Sequence, residues 1–252
     1  MNLNEFLEMK NEFAEYIYRY EYFLKCGAIN DCYYTHFFSK FLNEIRTLGI
    51  ENEVMSTAIK MKSEGKSNEE INEYINKAKE GFSEDQKKID YKTTLAEQVV
   101  ANNEKLSIED KKQFEIDYLD YVKKNHPIVK CLATEAEENA FNMISKLYKE
   151  NNYYGFKSFI DMNKAIFTNP DYKEQDFNKI SAYYYDIKKN INTDYQRKQN
   201  MYPYNKQDTL KNEISIAREN GDLKAKLNEY KGINKSIRQD YVNYFKQDFS
   251  LK

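Results

Sequence analysis

His36 and His126 are the only 2 histidines in this chain, so any imidazole-based catalysis or metal binding rests on them. An imidazole can shuttle a proton near neutral pH or ligate a metal, but both tasks need partners at set distances. Neither residue stands in His-x-x-His, His-Glu-x-x-His or Glu-x-x-His spacing. His36, beside Phe37 and Phe38, fits a half-buried helix position, whereas His126 directly precedes Pro127. The carboxylates Glu69, Glu70 and Glu135, Glu137, Glu138 could be imagined as acid–base pairs, yet each group lies where a helix should begin. Acidic residues favour that position because they oppose the positive end of the helix dipole. No glycine-rich phosphate loop is present, and Gly155 stands alone. The expectation is no catalytic residue, no metal, no cofactor and no enzyme.

Binding chemistry has more material. Lys111, Lys112, Lys123 and Lys124 flank one amphipathic segment and could form a basic docking face, although Asp117 and Asp120 lie between them. Tyrosine-dense stretches, Glu15 to Phe23 and Ala182 to Asp186, could stack on single-stranded bases. Their helical spacing and scarce arginine point instead to a core or a partner-helix surface. Lys+Arg (39) nearly cancels Asp+Glu (41), so nothing electrostatic favours nucleic acid. Nucleic-acid binding is therefore the weakest of the binding readings.

The elements that must hold these groups are helices. Only 7 Gly and 3 Pro punctuate the chain, and no alternating run bounded by turns marks a strand. Phe6, Met9, Phe13, Tyr16, Tyr20 and Phe23 repeat at intervals of three and four, a heptad seam that Gly27 is expected to end. Phe41, Ile45, Leu48, Asn52, Met55 and Ile59 form a second seam. The two are expected to fold back as an antiparallel hairpin. Lys62 to Ser67 is a break, after which Ser67 and Glu70 make a capping box. Gly81 and Ser83 predict another interruption, and Ser107 with Asp110 starts the next helix.

That helix must stop at His126-Pro127, because the proline ring disfavours helical backbone in the residue before it. Thr134 with Glu137 restarts the chain as a helix through Phe141, Ile144, Leu147 and Tyr148. A short helix is expected over Tyr153 to Met162, and the Pro170 segment marks a module boundary. Phe177, Ile180, Tyr184, Ile187, Ile191 and Tyr195 give a further seam, Met201 to Asn205 a turn. Leu223, Leu227, Tyr230, Asn234, Ile237, Tyr241 and Tyr244 give a last seam, weakened at Gly221 and Gly232.

The His-Pro hairpin resembles the J domain of DnaJ-type cochaperones. There one helix reads Tyr-Arg-Lys-Leu-Ala-x-x-x-His-Pro-Asp and the next carries Phe-x-x-Ile-x-x-Ala-Tyr. Tyr118, Tyr121, Val122, His126 and Pro127 match the first, and Phe141, Ile144, Leu147 and Tyr148 the second. Ile128 stands where the family has its aspartate, and Leu119 and Asp120 where it has Arg-Lys. The first J helix, with its Tyr-Tyr-x-x-Leu-Gly signature, is missing before Ser107. The resemblance spans residues 107 to 162. It implies contact with a DnaK-type chaperone through His126, Pro127, Ile128, Lys111, Lys112, Lys123 and Lys124, with ATPase stimulation lost along with the aspartate.

The expected protein is all-α, with coiled-coil-type hairpins around the J-like one. Its segments are 1–62, 63–106, 107–166 and 167–252. The expected role is a non-enzymatic cochaperone-like adaptor or scaffold. A protein that keeps the hairpin only for packing and self-associates through its arms is the alternative, making homo-oligomers a possible partner class. Cys26, Cys32 and Cys131 form no Cys-x-x-Cys pair, and the Met1–Phe13 segment is acidic and amphipathic rather than a secretion signal. No run of about eighteen apolar residues could span a membrane. A cytoplasmic location is expected.

Overall fold

The computed structural model describes residues 1–201, 204 and 213–251, and none of these is in a strand. The helices are α1 (Leu3–Ser63), α2 (Asn68–Lys105), α3 (Ile108–Asn125), α4 (Pro127–Lys130), α5 (Glu135–Lys149), α6 (Tyr153–Asn163), α7 (Phe177–Gln199) and α8 (Glu213–Phe245). Short 3₁₀ turns occupy Lys164–Ile166 and Glu174–Asp176. The all-α expectation is met. The expected turn at Met201 to Asn205 falls outside the described residues except at Met201 and Tyr204.

The local start and stop signals hold. Gly65, at φ 82°, turns the chain after α1, and Ser67 and Glu70 exchange backbone and side-chain hydrogen bonds at 3.2 and 3.0 Å. Ser107 accepts from the Asp110 amide at 3.0 Å, and Thr134 with Glu137 forms the full capping box of α5. His126 closes α3 with an extended backbone.

Two glycines behave differently. Gly27 does not end a helix, and residues 1–62 are not a hairpin: α1 is one helix of 61 residues. A Cβ at Gly27 would overlap the Tyr204 ring, so the missing side chain admits a close approach rather than a left-handed cap. Gly81 and Ser83 likewise leave α2 unbroken. A glycine inside a helix costs only about 1 kcal/mol relative to alanine, which packing on either side overrides.

The chain forms two compact units, neither continuous in sequence. One comprises Met1–Tyr33 with Glu97–Gln207, the other Tyr34–Ala96 with Asp208–Lys252. The four consecutive segments expected from the sequence do not match this grouping, because α1 and α2 each contribute residues to both units.

In the first unit the front of α1 pairs with α7, the two running parallel. Phe6 stacks on Phe177 (4.3 Å between centroids), Phe13 on Tyr184 (3.9 Å), and Phe23 meets Tyr195 (4.5 Å). Tyr16 donates to the Lys188 carbonyl and to Asn192 Oδ1, at 3.2 and 2.7 Å. A second stripe of α1 (Ala14, Ile17, Glu21 and Lys25) is also buried. Around it Phe114, Tyr118, Val122, Phe141, Ile144, Tyr148, Tyr153 and Phe156 of α3, α5 and α6 complete the core.

In the second unit the antiparallel hairpin appears one helix later than expected. The back of α1 returns along α2, with Arg46 Nη1 donating to Gln86 Oε1 at 3.1 Å and Val54, Met55 and Ala58 packed with Ile71 and Ile75. α8 runs parallel to the same stretch of α1. Lys231 pairs with Glu44 at 2.7 Å, and Arg238 with Glu51 at 2.9 Å. The two seam asparagines meet there: Asn234 Nδ2 donates to Asn52 Oδ1 at 2.8 Å, both side chains being buried. Tyr241, Phe249 and Leu251 close this core.

Candidate functional site

The residues with most chemistry gather where α3 hands over to α4. Pro127 supplies the first position of α4, where its missing amide hydrogen costs nothing. His126 caps that turn: its Nδ1 accepts from the Ile128 amide at 3.1 Å. With Nδ1 engaged as acceptor, a neutral ring carries its proton on Nε2. Nε2 lies 3.7 Å from Glu21 Oε1, and the ring packs against Phe141 at 4.5 Å. His126 is 7% exposed. It faces the core rather than forming an accessible tip.

The α4 turn is fastened on all sides. Tyr184 donates to the Val129 carbonyl, and Tyr172 to the Lys130 carbonyl at 3.0 Å. Cys131 ends the turn at φ 59°, with its thiol donating to the Ile128 carbonyl at 3.2 Å. Lys130 and Glu137 form an ion pair whose side chains are 1% and 0% exposed. Glu137 Oε2 also accepts from the Thr134 amide at 2.8 Å, and Oε1 from the Thr168 amide at 2.8 Å and hydroxyl at 3.1 Å. Burial alone would raise this carboxyl, but Lys130 and the two threonine amides outweigh it and bring it down to about 2.

A line of buried polar groups runs through the hairpin into α1. Glu21 accepts from Tyr118 and, at 3.5 Å, from Ser145. Burial opposes its charge, yet hydrogen bonds from His126 and Tyr118 hold the carboxyl below the usual range. Tyr118 stacks on Tyr148 with 3.5 Å between ring centroids. Tyr148 and Tyr18 both donate to Glu115, which pairs with Lys25 at 2.7 Å. Lys25 also sits 4.2 and 4.4 Å from the Tyr148 and Phe114 ring centroids. Burial lowers the Lys25 ammonium, with Glu115 working against that.

The structure divides the other expected contact residues. Lys112 and Lys124 are exposed, while Lys111 is half-buried. Lys123 is committed to Glu15 at 3.0 Å. They do not make a single free basic face. Pro127 and Ile128 remain partly accessible and line a cleft of about 460 Å³ with Leu132, Ile180, Tyr172 and Tyr183. Glu138, Asp176 and Lys179 supply charges at the same cleft. His36 is exposed, ring-to-ring with Phe37 at 5.4 Å. Among the described residues no group of three or more His, Cys, Asp or Glu side chains could hold a metal ion, and no helix is long and apolar enough to cross a membrane. The three cysteines form no disulfide.

Glu21, Lys130 and the Tyr172–Tyr184 pair escaped the sequence reading. Glu21 had a signal: it extends the Ala14–Ile17 spacing by one more helical turn, at a polar position within an aromatic stretch. No protein-family model matches the chain, and neither does any curated protein or solved structure.

Proposed function

We propose that the protein is a non-enzymatic helical adaptor that receives a partner protein in the cleft beside Pro127 and Ile128, and that it does not stimulate the ATPase of a DnaK-type chaperone. The observation carrying this reading is the inward direction of His126, which is spent on capping α4 and facing Glu21. What stays accessible at the turn is apolar, with charges of both signs around it. An apolar cleft with a few fixed charges suits side chains of another protein better than a phosphate or a nucleic-acid backbone. Ile128 cannot accept the charge-assisted hydrogen bond that an aspartate offers a chaperone, and such bonds are about twice as strong as neutral ones. The α3–α5 hairpin thus serves chiefly as a packing unit, with a docking cleft at its end.

The test has two readouts. The steady-state ATPase rate of a purified DnaK-type chaperone should be unchanged by the wild-type protein, and stimulation would overturn the reading. Affinity capture from the native cell should recover a partner that is lost with Leu132→Asp/Tyr183→Asp. Both residues are exposed at the cleft, 55% and 42%, so the variant is expected to fold. Recovery of the same partners by that variant removes the cleft from the proposal.

A further inference from the structure

The turn beside the partner cleft keeps most of its backbone occupied. The carbonyls of Ile128, Val129 and Lys130 accept from Cys131, Tyr184 and Tyr172, and the Thr134 amide donates to Glu137. Leu132 and Ala133, in the link between α4 and α5, are the exception. Among the described residues no hydrogen bond reaches their amides or carbonyls. Both residues line the cleft, Leu132 exposed and Ala133 half-buried. The charges of the cleft are also uncommitted. Glu138 lies in the first turn of α5, and Asp176 precedes α7 without a side-chain capping bond. Neither carboxylate, nor Lys179, has an ion-pair partner among the described residues. The lining therefore sets two carboxylates against one ammonium, and a cleft with low-dielectric walls focuses that excess.

Taking this cleft as the place where a partner protein docks, as proposed above, we infer that the partner enters it as a short extended segment with leucine-sized side chains and a lysine or arginine beside them. The segment's backbone pairs with the open amides and carbonyls of Leu132 and Ala133. Its apolar side chains fill the space between Ile128, Leu132, Ile180 and Tyr183, and its cation meets Glu138 and Asp176. A helix fits these features less well. It is about 10–12 Å across with its side chains, wide for a cleft of about 460 Å³, and its own backbone groups are paired internally. In strand-type recognition the main-chain hydrogen bonds give affinity and the side-chain pockets give specificity. Complementary charge acts mainly on the rate of encounter and on the choice of partner.

Selection of a random dodecapeptide display library on the purified full chain tests the assignment. Enriched peptides, synthesised and titrated by fluorescence anisotropy, should share aliphatic residues at alternate positions with Lys or Arg adjacent. Their binding should vanish in Leu132→Asp/Tyr183→Asp and weaken about fivefold in Glu138→Gln/Asp176→Asn. Added sodium chloride should weaken binding to the wild type, and less so to the charge variant. Methylating the peptide's amides one at a time should find at least one position that costs about tenfold, a readout that leaves the protein itself unchanged. An acidic or helix-periodic consensus, binding indifferent to Glu138 and Asp176, or indifference to every methylation would overturn the inference and leave the cleft as a docking site. Enriched peptides that still bind Leu132→Asp/Tyr183→Asp would instead remove the cleft itself. If no peptide is enriched, a short segment does not suffice and the inference fails.

Discussion

Glu137 gathers the backbone of Thr134 and Thr168 and the ammonium of Lys130 at a fully buried point. Removing one partner of a buried pair leaves the other charged and unsolvated, which costs about 3–5 kcal/mol. Glu137→Ala should therefore lower the unfolding free energy by about that amount in urea titration. Lys130→Met combined with Glu137→Gln should cost clearly less, since no lone charge remains. The same group makes stability depend on acid. Its folded-state pKa is depressed to about 2 from an ordinary 4.5, so its contribution is complete above pH 4.5 and is lost as the pH falls towards 2. Melting temperature measured from pH 6 down to pH 2 should fall through that window, and the slope there should flatten in the double variant. At this scale the sequence was half legible. The Thr134–Glu137 box and the break at His126-Pro127 are contacts between near neighbours, visible as spacing. The direction in which His126 faces depends on Glu21, far away in the chain, and no local rule encodes that pairing.

The elements carry their own tests, and glycine is the clearest. A Cβ at Gly81 meets nothing within 4 Å, whereas one at Gly27 would collide with Tyr204. Gly81→Ala should stabilise by about 0.5–1 kcal/mol through helix propensity, and Gly27→Ala should destabilise despite the same propensity gain. Thermal melts of both variants would settle whether Gly27 is a contact position; equal stabilisation by the two changes would refute it. The asparagines make a second pair. Asn234→Leu alone leaves Asn52 buried without its donor and should cost about 1–3 kcal/mol. Asn52→Leu with Asn234→Leu should be close to neutral, while permitting α1 and α8 to slip in register. Both asparagines stood out in the sequence as polar residues on apolar seams. Their pairing did not, because a heptad pattern states that a seam needs a partner without saying which seam supplies it. The expected antiparallel pairing of the two halves of α1 failed for that reason.

For the molecule as a whole, seam residues of each unit, such as Phe6, Phe13 and Tyr184 in one and Met55 and Tyr241 in the other, pack into cores made by the chain's own helices. A seam residue buried in its own chain gives a second chain that much less to cover. Sedimentation at micromolar concentration should give a monomer, and a stable dimer would restore the oligomeric alternative. The two units have separate cores, so damage should stay local. Phe249 belongs to the second core and Tyr118 to the first. Phe249→Ala, at about 3–5 kcal/mol for a buried phenylalanine, should speed amide exchange around Val54 to Ala58 and leave Tyr118 to Val122 unaffected.

The parallel pairing of α1 with α7 also bears on how the protein is born. Tyr16 and its acceptor, the Lys188 carbonyl, are 172 residues apart. At about 5–20 residues per second, a ribosome needs roughly 10–35 s to deliver the second after the first. For that interval Phe6, Phe13 and Phe23 form a greasy stripe on a nascent helix with no mate. An exposed stripe of that kind attracts aggregation partners and general holdases alike. Synonymous slowing over the codons for residues 100–180 lengthens that interval and should reduce the soluble yield without altering a single side chain.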